Sequence, residues 1–159
     1  MFQTTESSVL SPKYGRVSGT ATEDRDTQEE VPLKSTGEIE AAISQGMSRF
    51  EQEYMGRGPK DVRAYLIGDL LLVRLQGVLT AAEQHLVKTL DSGKARELLK
   101  QVRIRLIDAA RPKLEALVEG ITAVKVRSLH YDISTNTGEA VVIFTLIEPP
   151  LCRETKRKF

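Results

Sequence analysis

His130 and Asp132 stand two residues apart, so on a strand both side chains leave the same face. That spacing suits a histidine oriented by a carboxylate, or half of a metal site. A metal centre takes three or four ligands, and the other histidine, His85, falls on a separate segment. The pair therefore reads more simply as a polar strand face, and no metal is expected. Gly56-Arg57-Gly58-Pro59 offers different chemistry. Two glycines let backbone amides approach an anion, and Arg57 supplies a fixed fork of donors, which makes the corner a ligand or partner site. The same residues also read as a helix stop followed by a rigid turn. The corner lacks the spacing of a P-loop and follows no strand, so it gives only a weak signal for nucleotide phosphate.

Thr80 and Glu83 pair a hydroxyl with a carboxylate, but at this spacing a capping box accounts for both. Cys152 has no base placed beside it, so it is not read as a nucleophile. As the single cysteine, it forms neither an internal disulfide nor a cysteine cluster. No catalytic constellation emerges, and no cofactor is implied.

These residues must be held by elements that the pattern makes legible. Ser35 and Glu38 form a capping box, and Ile39, Ile43, Met47, Phe50 and Tyr54 recur at helical spacing, so a helix runs from there to a stop at Gly56. Val62 to Ile67 and Leu70 to Leu75 read as strands joined by a tight Gly68-Asp69 turn, with Arg63 and Arg74 on their solvated side. Thr80 to about Leu90 reads as a short helix, broken at Asp91-Ser92-Gly93. The long helix that follows carries Leu99, Val102, Leu106, Ala110, Leu114, Leu117 and Ile121 on one stripe, with Arg96, Lys100, Arg103 and Lys113 off it. Pro112 predicts a kink or restart. Val124 to Ile133 and Ala140 to Ile147 form a second hairpin around Ser134 to Gly138. The order α-β-β-α-α-β-β predicts an α+β fold of two layers, an antiparallel sheet of two hairpins with three helices on one face. It leaves the strand order open.

Composition sets the frame. A chain of 159 residues, 40% apolar and without Trp, suits one domain built on Leu, Ile and Val. Residues 1–34 carry four Lys/Arg against six Asp/Glu, a net of −2, and read as a disordered arm. Residues 35–150 form the α+β domain. Residues 151–159, with Arg153, Lys156, Arg157 and Lys158 against Glu154, form a basic tail of net +3. The domain between holds fifteen charges of each sign, so it lacks the basic surplus of a nucleic-acid module. No apolar run approaches the roughly 20 residues of a membrane span, and the polar start is no secretory signal. A cytoplasmic protein is expected, and its tail could lie against an anionic membrane surface.

Phe50-Glu51, Tyr54-Met55-Gly56-Arg57-Gly58-Pro59, Arg74-Leu75-Gln76-Gly77-Val78-Leu79-Thr80 with Glu83, Ala110-Arg111-Pro112, and His130-Tyr131-Asp132-Ile133-Ser134 with Thr137-Gly138-Glu139 occur in that order. Together they resemble the MpsC family, named for a Na+-translocating membrane potential-generating system and long filed as a domain of unknown function. The resemblance implies a small soluble bacterial or cyanobacterial protein, associated with a membrane ion-translocating system linked to membrane potential and inorganic carbon. It carries no catalytic residues across.

The leading expectation is a non-enzymatic accessory or regulatory protein that binds a protein partner, with Gly56, Arg57, Gly58 and Pro59 as the first contact and His130 and Asp132 as a further candidate. Homo-oligomerisation stays open. A KH-like RNA-binding module is the alternative, because α-β-β-α-α-β is also the order of a type II KH domain. The link that would carry its Gly-x-x-Gly clamp, Asp91 to Arg96, holds one glycine. A small-anion binding protein or enzyme using Arg57, His130 and Asp132 is the third reading.

Overall fold

The computed structural model describes residues 31–89 and 92–154. Most of the acidic arm, at residues 1–30, and the basic tail beyond Glu154 lie outside the described residues, as does the junction Leu90-Asp91. The elements follow the expected order: α1 Thr36–Tyr54, β1 Asp61–Ile67, β2 Leu70–Gln76, α2 Ala81–Thr89, α3 Ser92–Thr122, β3 Val126–Ser134 and β4 Glu139–Leu146. All of them belong to the unit Pro32–Phe159.

The four strands β1 to β4 pair antiparallel, and their order across the sheet is β1-β2-β4-β3, so the two hairpins join through β2 and β4. The register aligns inward-facing Leu71, Val73 and Leu75 with Phe144, Val142 and Ala140. These six are fully or nearly fully buried. Because side chains alternate along a strand, the opposite face carries Tyr65, Ile67, Leu70, Leu72, Val141 and Ile143, which retain partial or full exposure.

The predicted α1 forms with both ends as expected. Ser35 Oγ accepts from the Glu38 amide at 3.2 Å, and the Glu38 carboxylate accepts from the Ser35 amide at 2.6 Å, closing the capping box. Ile39, Ile43, Met47 and Phe50 form the buried stripe. Gly56 follows the last turn at φ +81°, the left-handed stop that glycine adopts without strain. Arg153, the described start of the basic tail, donates its amide to the Lys34 carbonyl and pairs with Glu38 at 3.3 Å.

Helix α3 differs from expectation at its start, at Pro112 and along its buried stripe. It runs unbroken through Pro112, so of the kink or restart expected there the restart is absent. A proline removes a single amide donor from the ladder, and packing across a helix of this length holds the rest. Ser92 and Gly93, expected in the break, open the helix. The buried stripe is also rotated: Ala95, Leu99, Arg103, Ile107, Ala110, Leu114 and Val118 face the core, whereas Val102 and Leu106 are exposed. Arg103, expected on the solvent side, is 1% exposed. An apolar-only count misplaced the stripe by about one residue, because a charged side chain sits inside it.

Candidate functional site

The buried arginine explains how the neighbouring surface is built. Arg103 Nε and Nη2 donate to the two oxygens of Glu83 at 2.9 and 2.8 Å, a bidentate pair, and Nη2 also donates to the Val78 carbonyl at 2.8 Å. Nη1 faces the buried Glu51 carboxylate at 3.8 Å, an ion pair too long for a hydrogen bond. Glu51 Oε2, Arg103 Nη1 and the Tyr131 hydroxyl lack hydrogen-bond partners among the described residues.

Burial acts against charge on Arg103, but the hydrogen bonds and carboxylate of Glu83 outweigh it and hold the guanidinium above its usual pKa. Burial also opposes charge on Glu83. Its hydrogen bonds from Arg103 and the Thr80 amide still hold its pKa below the usual range. Glu51 receives less compensation: burial pushes it from 4.5 up to about 7, Arg103 opposing and Glu83 reinforcing the rise. Burial likewise pushes Tyr131 up to about 12 against the pull of Arg103.

Through Glu83 this network holds α2, which has no fully buried residue of its own among those described. The expected capping box is present. The Thr80 amide donates to Glu83 at 2.7 Å, and Thr80 Oγ1 accepts from the Glu83 amide at 3.2 Å. One carboxylate therefore starts the helix and ties it to α3.

On its other side α2 walls a cleft of about 560 Å³. Arg57, Lys60, Lys88 and Arg96 line it, and no Asp or Glu does so among the described residues. Arg57 arrives from the corner after α1, Lys60 precedes β1, Lys88 lies on α2 and Arg96 on α3. Arg57 is fixed by donating Nη1 to the Leu79 carbonyl at 2.9 Å, which also accepts from Gln84 at 3.1 Å. The Val78 amide donates to the Gly138 carbonyl at 3.0 Å, bringing the β3–β4 turn to the cleft, where Thr135, Asn136 and Thr137 add hydroxyl and amide groups. Gly77 has φ +66°, where other residues are strained, and a Cβ there would lie 2.6 Å from Lys60 Cγ, so a side chain at this position would displace Lys60.

Of the expected site residues, Arg57 enters this cleft. Gly56, Gly58 and Pro59 shape the corner without lining it; the Gly58 amide donates to Gln52 Oε1 at 3.0 Å. His130 and Asp132 are exposed on the side of β3 away from its core residues and do not line the cleft. Asp132 pairs with Lys100 at 2.7 Å, and that hydrogen bond holds its carboxyl below the usual range. Arg57 and the His130–Asp132 pair thus do not share one cavity. The KH reading finds no glycine loop either, since Gly93 to Arg96 lie inside α3. Lys60 directly follows the Gly56–Pro59 corner and its adjacency could have signalled it, whereas Lys88 and Arg96 are contributors that linear spacing could not reveal.

Fold and site together define a two-layer α+β domain with a cationic cleft and a buried ionic brace. The family model for the Na+-translocating membrane potential-generating system (MpsC) matches residues 35–148, and the chain belongs to that family. The Uncharacterized protein YbcI of Bacillus subtilis (strain 168) is 36% identical over 113 residues, covering 71% of this chain and 89% of the relative. No solved structure matches. Among the described residues, no helix is long and apolar enough to cross a membrane.

Proposed function

We propose that this chain is a non-enzymatic accessory or regulatory protein that works by binding an anionic segment of a protein partner, in keeping with a family named for a membrane potential-generating system. The reading places it in the cytoplasm, where it meets a membrane ion-translocating complex from the side. Its main support is the convergence of Arg57, Lys60, Lys88 and Arg96 on one cleft. Cationic side chains gathered around a concave surface favour an anionic partner and speed its encounter.

Affinity purification of the tagged chain from its native cells tests this, with co-purifying membrane subunits identified. Changing Arg57→Glu together with Lys88→Glu should lower partner recovery at least about tenfold, because each substitution replaces attraction with repulsion. Equal recovery by a double variant that retains wild-type unfolding behaviour would remove the cleft from partner binding.

A further inference from the structure

We infer that the cleft takes a small organic anion with at least two phosphoryl groups, of nucleoside-diphosphate size. The inference rests on the reading of this cleft as a binding site and names a ligand for it. Charge comes first. With Arg57, Lys60, Lys88 and Arg96 lining the cleft, a singly charged anion would leave most of the positive charge unmatched, whereas a diphosphate matches most of it.

Arg57 commits Nη1 to the Leu79 carbonyl, which orients the rest of its donor fork. Arg96 Nε is buried and has no hydrogen-bond partner among the described residues, so it is a donor prepared for an acceptor. Size points the same way. A volume of about 560 Å³ greatly exceeds one phosphate and falls within the range of roughly 300–1,000 Å³ usual for small-molecule sites.

The rest of the lining suits an organic portion. Leu79 and Val87 offer apolar surface, while Gln84, Thr135 and Asn136 offer amide and hydroxyl groups for a sugar or base edge. Among the described residues no aromatic side chain lines the cleft, so the phosphoryl groups must supply most of the affinity. Binding should accordingly weaken steeply with salt. No P-loop is required, because side chains from separate elements replace its backbone cradle.

Calorimetric titration of the full chain at low salt, with a chelator present, compares ADP, inorganic pyrophosphate, orthophosphate and citrate. ADP and pyrophosphate should saturate one site and bind at least about tenfold more tightly than orthophosphate or citrate. Lys88→Gln, at an exposed position, and Arg96→Gln should each weaken ADP binding about tenfold or more. Arg63→Ala should leave it unchanged, since that side chain lies outside the cleft and is 66% exposed. Absent saturable binding, citrate binding as tightly as ADP, or equal ADP binding by the two cleft variants would each overturn the inference. If ADP fails while partner recovery still depends on Arg57 and Lys88, this inference falls and partner binding stands. If ADP titrates into the cleft while recovery is indifferent to those residues, the inference stands and partner binding through the cleft falls.

Discussion

Arg103→Met should cost about 3–5 kcal/mol of folding stability, read as a lower midpoint in urea unfolding. The arginine is 1% exposed and satisfies both oxygens of Glu83 and the Val78 carbonyl, while standing 3.8 Å from Glu51. Methionine fills similar volume but leaves two carboxylates without their cation, and an unpaired buried charge costs far more than its pairing contributes. Against a total stability of ~5–15 kcal/mol, that loss brings the domain near its unfolding threshold. Adding Glu51→Leu should restore part of it, because one stranded charge is then gone and the two sites are coupled. A loss below about 1 kcal/mol for Arg103→Met would mean that the network contributes little to stability.

Glu51 should make the same core sensitive to pH. Its folded pKa is raised from 4.5 to about 7, so the folded state holds this proton more tightly than the unfolded chain does. The resulting stability is fully present below about pH 4.5 and is lost as pH rises through 7, an effect of about 3 kcal/mol at most. Glu83 acts in the opposite sense: its pKa is lowered, so its contribution is present above the ordinary glutamate value and lost as pH falls through its folded pKa. The two together favour a stability maximum in mildly acid solution. Glu51→Gln should remove the decline between pH 5 and 8 and stabilise the domain at pH 8. Parallel pH profiles for wild type and Glu51→Gln would refute this assignment.

The fold was legible wherever local chemistry and tertiary packing agreed. The Ser35 and Thr80 capping boxes, the Gly56 stop, the Gly68 turn and the α-β-β-α-α-β-β order are all present in the structure. They depend on neighbours within a few residues, so the chain displays them directly. Helix α3 was misread where agreement failed. Arg103 occupies a core position because Glu83 and Glu51, on other helices, pair with it, and helical periodicity records no such partner. The alternative stripe through Val102 and Leu106 was equally periodic, and both prove exposed.

The cleft was legible only at Arg57. Lys60 stands beside the same corner, but Lys88 and Arg96 come from α2 and α3, held against it through the α2 brace, with the β3–β4 turn brought in by the hydrogen bond between Val78 and Gly138. Glu83 shows why a bland local explanation can be correct and incomplete. It caps α2 as its spacing implied, and the same carboxylate also grips Arg103 and sets the wall of the cleft.

Hydrogen–deuterium exchange on the complex purified from native cells tests most directly whether this cleft is the working surface. Binding there predicts added protection at residues 57–60, 77–79, 84–88 and 135–138, with little change on the outer sheet face around Tyr65, Ile67, Leu72 and Ile143. Protection confined to that outer face, with the cleft segments exchanging as in the free protein, would contradict the account.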